Sequence, residues 1–201
     1  LEAILNDMPE SKVIRFHPAL GYWDGDGRKV GEFPAMIGKI QGASGEPVSI
    51  HRTYLTPEGN KAPLPNPKKM MTGIYPGSVS GAAIRLYEPS DTLAIAEGLE
   101  TALAVRVAMG VPGWAVISAS IMRSFVVPEN VSRVDIWTDL DINGAGQKAA
   151  NFLADRLIGE SVSVRIITPN FQMLQQHIGD IEMMPKSIDW LDVLNLPEVA
   201  A

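Results

Sequence analysis

From Thr92 onward, runs of β-forming residues alternate with helical periodicity, and this alternation restricts the fold more than any other feature of the sequence. "TLAIAEG" (92–98) reads as a buried strand, "LETALAVRVAMG" (99–110) as a helix closed by Gly110, and "GWAVISAS" (113–120) as a second strand. After the short helical or irregular "IMRSFVVPEN", the run "VSRVDIWTD" (131–139) reads as a third strand. "GQKAANFLADRLIGE" (146–160) reads as a helix and "SVSVRIITP" (161–169) as a fourth strand. In that helix Ala149, Leu153 and Leu157 recur at four-residue spacing and share one face. Parallel neighbours need crossover connections, so the expected class is α/β, a parallel sheet of about four strands flanked by helices.

Residues 1–89 have a different texture. Short β-type runs, among them "VIRF", "PAMIGKI", "PVSIHRTYL" and "AAIRLYE", are separated by the turn clusters "DGDG", "GASGEP" and "TPEGNKAP". Such punctuation predicts a smaller, mostly antiparallel β (α+β) subdomain. The expected division is therefore 1–89 and 90–201, where the remainder after residue 169 reads as loop plus a closing helix. The chain opens on leucine rather than methionine, which suggests a piece of a longer polypeptide.

Composition removes several classes of function. No apolar run approaches the roughly 18 residues that cross a bilayer, and no signal sequence opens the chain, so no membrane partner is expected. With no cysteine, neither a disulfide nor a cysteine-ligated zinc can form, and the cytoplasm is the expected compartment. A net charge of −6 argues against holding nucleic acid by overall electrostatics, although acids gathered around metal ions would not repel a phosphate.

The acids fall at strand ends, where ligands gather in such sheets. Glu97 ends the first strand of the alternating segment, and Asp139 and Asp141 end the third. Asp139, Asp141, Asn143 and Gly144 match the first half of a calcium loop, but its twelfth position would be Ala150 and a strand precedes it. Three carboxylates at neighbouring strand ends suit hard divalent cations, magnesium above all, which binds one or two carboxylates together with substrate phosphates. Gly144 and Gly146 open the following helix, where a phosphate can approach the backbone.

The pairing of "AEGLETALA" with "WTDLDINGAGQKAA" on strands of an α/β segment resembles the Toprim domain of topoisomerases, bacterial primases and related nucleases. That family carries a glutamate-glycine motif after its first strand, matched by Glu97 and Gly98, and D-x-D-x-x-G after its third, matched by Asp139, Asp141 and Gly144. Together with "FHPALGYWD", "SIHRTYLTPEGNKA" and "IDWLDVLN", the sequence is similar more narrowly to the primase-like proteins of phages and plasmids. The resemblance implies a Toprim-like sheet. It implies that Asp139 and Asp141 hold magnesium, with manganese as the alternate ion, and that Glu97 is a ligand or proton acceptor. Asp189, with Asp192, resembles a further acidic motif of primases that completes a second metal position. Gly98 and Gly144 count with the nucleotide-binding positions.

The implied reaction is attack of a primer 3′-hydroxyl on the α-phosphate of an incoming nucleotide, on a single-stranded DNA template. Nucleoside triphosphates are the implied substrates, and a replicative helicase or helicase domain is an implied partner. A metal-dependent nuclease and a non-catalytic nucleic-acid or nucleotide-binding module are the alternatives. Two departures from replicative primases stand out. Thr101 occupies the place of their second acid, with Glu100 one residue earlier, and their cysteine zinc module is missing; no Walker-type helicase motif occurs either. In the amino-terminal unit Arg52, Lys61, Lys68, Lys69 and Arg85 are the candidates to grip a triphosphate or template, whereas His51 reads as a structural histidine.

Overall fold

The structure is a computed structural model that describes residues 8–9, 12–141, 144–169, 187–188 and 190, with residues 140–141 and 187–188 described through their backbone. Four strands, β1 (Ile14–Trp23), β2 (Lys29–Gln41), β3 (Pro47–Tyr54) and β4 (Lys68–Met70), form an antiparallel sheet in chain order. The turn clusters lie between them, as their glycines and aspartates require: Asp24 Oδ1 accepts from the backbone N–H groups of Asp26 and Arg28, both at 2.9 Å.

The second sheet holds β5 (Ile84–Arg85), β6 (Thr92–Ala96), β7 (Gly113–Ala115), β8 (Arg133–Trp137) and, after β9 (Leu140–Asp141), β10 (Ser163–Ile167). Its order is β10-β8-β6-β7-β5. All neighbours are parallel except β5, which runs antiparallel to β7 at the edge. Helices α1 (Leu99–Met109), α2 (Ala119–Arg123) and α3 (Ala145–Gly159) connect the parallel strands. A further short strand, β11 (Ser187–Ile188), pairs antiparallel with β9.

Alternation along the strands distributes the core over both faces of this sheet. Leu93, Ile95, Val134 and Ile136 pack with Ile121 and Met122 of α2 and with Ala149, Leu153 and Leu157 of α3. Ala94, Ala96, Ala115 and Trp137 point the other way, toward Leu99, Ala102 and Val105 of α1 and toward Ile40 and Val48 of the antiparallel sheet. The four-residue spacing read from the sequence of α3 is the buried stripe of that helix.

One expected element is shorter than its sequence suggests. β7 stops at Ala115 because Ile117 adopts a left-handed φ of 66°, and Ser118 then accepts a bond from Ile121 N at 3.3 Å, which caps α2. The serines of "ISAS" therefore begin a helix rather than end a strand. Gly113 opens β7 beneath α1, where an added Cβ would stand 2.5 Å from the carbonyl oxygen of Ala102. No helix among the described residues is long and apolar enough to cross a membrane.

Topology positions the site. After β6 the chain passes through α1 to β7 on one side; after β8 it passes through α3 to β10 on the other. The carboxyl ends of β6 and β8 thus flank the point where the winding reverses, the place where a crevice opens in doubly wound sheets.

Candidate functional site

A cavity of about 160 Å³ lies at this reversal, lined by Glu97, Gly98, Leu99, Ile117 and Asp139, with His51 and Lys68 from the antiparallel sheet. Glu97 directly follows β6, and its carbonyl accepts from Ile117 N at 3.0 Å, so the extension of β7 fixes its backbone. Asp139 leaves β8 two residues after the strand ends. Glu97 and Asp139, far apart in sequence, therefore meet at one rim of the sheet, as the motif spacing implies. Asp141 lies in β9, where its backbone pairs with Ser187. Gly144 has a left-handed φ of 61° and stands at the amino cap of α3, which a β-substituted residue adopts only with strain. Asp189 and Asp192 lie outside the described residues.

Register decides which amino-terminal cations face the acids. His51 pairs with Met70 and Thr53 with Lys68, so His51 and Lys68 share one face of the sheet, while Arg52 and Lys69, paired between them, project from the other. Arg52 Nη1 is 3.5 Å from Tyr54 Oη, and Lys69 Nζ sits 4.0 Å from the centroid of the Tyr22 ring. Lys61 is close enough to Glu100 to favour its ionised form. Arg85 is engaged elsewhere: its guanidinium donates to the carbonyls of Gly42 and Ala43 at 2.6 and 2.7 Å and covers Trp114. Arg85 lines a second cavity, of about 550 Å³, together with Lys39 and Gln41, near Pro89 and Pro128 that precede β6 and β8.

Two site groups are not conspicuous in the sequence. Glu100, in the first turn of α1, receives Lys68 Nζ at 2.9 Å and ties the antiparallel sheet to the helix that follows Glu97. Burial pushes the Glu100 carboxyl upward, but Lys68 beside it outweighs burial and the pKa is lowered. His51, 7% exposed, is not the satisfied histidine expected: its Nδ1 is buried with no hydrogen-bond partner. Burial, with Lys68 and Arg52 nearby, lowers its pKa to about 4, against a smaller upward pull from Glu100. The imidazole is neutral at physiological pH. Both roles depend on long-range pairing; the "HRT" alternation in β3 was the available signal for His51.

The donor set fits a divalent cation. Carboxylates at the ends of adjacent strands repel one another unless a cation intervenes, and carboxylate oxygens are what magnesium and manganese take. Asp139 Oδ1 is buried. Among the described residues no group of three His, Asp or Glu side chains is placed to hold an ion alone. Glu97 and Asp139 are the two acids that this cavity brings together.

Residues 92–195, more than half of the chain, match the family model described as a Toprim domain, and residues 4–86 match one described as a domain of unknown function (DUF7146). The chain belongs to the Toprim family. No curated protein matches its sequence. The Aquifex aeolicus primase, in a structure of its zinc-binding and RNA polymerase domains, superposes with a TM-score of 0.51 at 14% identity, over 84% of this chain and 49% of that one. A DNA primase domain from Pseudomonas aeruginosa gives 0.47 at 17% identity, over 75% and 48%. The primase fragment of the bacteriophage T7 primase-helicase protein gives 0.44 at 17%, over 67% and 53%. The chain thus spans about half the length of these structures. Its fold is that of a primase Toprim core, an antiparallel sheet joined to a mostly parallel one flanked by helices.

Proposed function

We propose that this chain is the catalytic core of a primase-like nucleotidyltransferase that makes short primers on single-stranded DNA from nucleoside triphosphates. Residues 1–89 form its amino-terminal subdomain and residues 90–201 its Toprim unit. The observation that carries this reading is one cavity in which Glu97 and Asp139 face Lys68 from the other sheet, acids for a cation and a cation for a phosphate.

Glu97, Asp139 and Asp141 would hold magnesium or manganese, with Asp189 at a second position. When bound, the ion supplies Lewis acidity to the phosphoryl oxygens. Glu97 accepts the proton of the primer 3′-hydroxyl, whose oxygen bonds to the α-phosphorus as pyrophosphate leaves. Lys68 exchanges Glu100 for a triphosphate oxygen, and Lys61 adds positive potential on the same side. Gly98 and Gly144 keep the strand-to-helix turns free of side chains where a nucleotide approaches. Arg52, on the opposite face of its strand, meets the template rather than the triphosphate. The reading places the protein in the cytoplasm, beside a replicative helicase or helicase domain.

Incubation with single-stranded DNA, labelled nucleoside triphosphates and magnesium or manganese tests the proposal. Short labelled oligonucleotides are expected, and none from Asp139→Ala. Shortened DNA without incorporation would make the protein a metal-dependent nuclease. Binding that survives Asp139→Ala, with neither product, would make it a binding module.

A further inference from the structure

The backbone that carries Asp139 is held from three directions. Ile167 of β10 accepts from Thr138 N at 3.0 Å, and Thr138 Oγ1 lies 2.9 Å from Thr168 Oγ1. Trp190 Nε1 donates to the Thr138 carbonyl at 3.0 Å, a buried bond, with its ring edge-on to Trp137 at 4.6 Å between centroids. Gln147 Nε2, from the first turn of α3, donates to the carbonyl of Asp139 itself at 2.8 Å.

These last two bonds have a specific mechanical effect. Each peptide unit is planar, so fixing the carbonyls of Thr138 and Asp139 fixes the two planes that meet at the Asp139 Cα. With both planes set, φ and ψ of Asp139 are set, and so is the direction in which its Cβ leaves the chain. The Gln147 amide has one allowed orientation, because turning it over would place oxygen against the Asp139 carbonyl oxygen. Its Oε1 is then buried with no hydrogen-bond partner, and it lies 3.7 Å from where a Cβ on Gly144 would stand. Gln147 therefore bonds to Asp139 with one amide atom and turns the other toward the Gly144 backbone. A buried acceptor left without a donor is costly, and water carried by a bound cation would supply that donor.

We propose that Gln147 and Trp190 are positioning residues of the site, holding the Asp139 carboxylate toward Glu97 before any ligand arrives. The inference rests on the metal reading under Proposed function. Neither residue is an acid: Gln147 acts through the Asp139 carbonyl and Trp190 through the Thr138 carbonyl that precedes it.

The test is manganese titration of the whole chain, followed by electron paramagnetic resonance, for wild type, Gln147→Met, Trp190→Phe and the double variant. Gln147→Met keeps length and helix preference but loses the bond; Trp190→Phe keeps a ring against Trp137. Affinity is expected to fall roughly 10- to 100-fold in each single variant, while far-ultraviolet circular dichroism is unchanged. The double variant should lose less than the sum, because both bonds constrain one residue. If Trp190→Phe unfolds, Gln147→Met alone decides. Wild-type affinity that depends on Asp139 but is unmoved in folded Gln147→Met overturns the inference and spares the metal reading. A wild type that binds no ion overturns the metal reading, and the inference with it.

Discussion

Asp135 and Asp139 lie four residues apart, one inside β8 and one just past its end, and the protein treats them in opposite ways. Asp135 is 3% exposed, and both its oxygens are taken: Arg133 Nε reaches Oδ1 at 3.0 Å and Arg165 Nη2 from β10 reaches Oδ2 at 2.7 Å. Asp139 instead opens on a cavity shared with a second acid, Glu97. A buried carboxylate inside the sheet is neutralised by the two arginines, whereas the one past the strand end shares its cavity with Glu97 and Lys68. Under the proposed function the same residue type at the two places serves two different ends, stability in one and binding in the other.

Substitution at Asp139 should break the comparison most visibly. Asp139→Asn is expected to lower primer synthesis by a factor of about 1000 or more, on the order of 4 kcal/mol in the barrier, in the incorporation assay. Its melting temperature should stay close to that of the wild type, unlike that of an Asp135 variant. A large fall in melting temperature would show that Asp139 serves the fold as Asp135 does.

His51 extends the contrast to a group whose burial no partner offsets. Its folded-state pKa of about 4 lies below the ordinary 6.5, so as pH falls the unfolded chain takes up the proton first. Its contribution is fully present above about pH 6.5 and is lost progressively as pH drops toward 4, roughly 3 kcal/mol in all for the metal-free protein. Urea unfolding at pH 7.5 and 4.5, with His51→Gln as reference, measures it: the wild type should lose most of that amount, about 2.5 kcal/mol, beyond what the variant loses. Equal losses would mean the imidazole is solvated in solution.

Asp135→Ala is expected to cost about 2 kcal/mol, less than a fully buried broken pair, because Arg133 and Arg165 are 39% and 53% exposed and can regain water. Manganese affinity should not change. A loss of affinity comparable to that of the Asp139 variant would mean that the strand transmits strain to its end.

These contrasts mark what could be read in the chain and what could not. Strand and helix alternation after Thr92 is a local pattern, and it placed Glu97 and Asp139 at strand ends whose adjacency follows from parallel pairing. The early end of β7 turned on a serine cap and one left-handed residue, which compete with β propensity without a periodic trace. Lys68 and Arg52 were equivalent as cations in sequence. Only the register of β3 with β4 separates the one facing the acids from the one facing away. Arg85 looked like another phosphate contact but closes the 42–43 turn, because carbonyls brought near by the fold claim it first. Gln147 carries no charge and breaks no pattern, so its bond to Asp139 left no mark in the sequence.

The smallest effect is the most informative about the site's resting state. Lys68 and Glu100 are 36% and 24% exposed, and a pair of that kind contributes at most about 1 kcal/mol once water screens it. The lowered Glu100 pKa keeps the bond intact above the carboxylate range, and its contribution fades only as pH falls through that lowered value. At neutral pH, then, the proposed triphosphate would meet a lysine that is already paired with Glu100. Glu100→Gln removes the competitor, so the KM for nucleotide should fall several-fold while kcat changes little and stability shifts by less than about 1 kcal/mol. A rise in KM would reverse the assignment: Glu100 would then be what aims Lys68, and the ion pair would belong with Asp135 and its arginines as part of the fold.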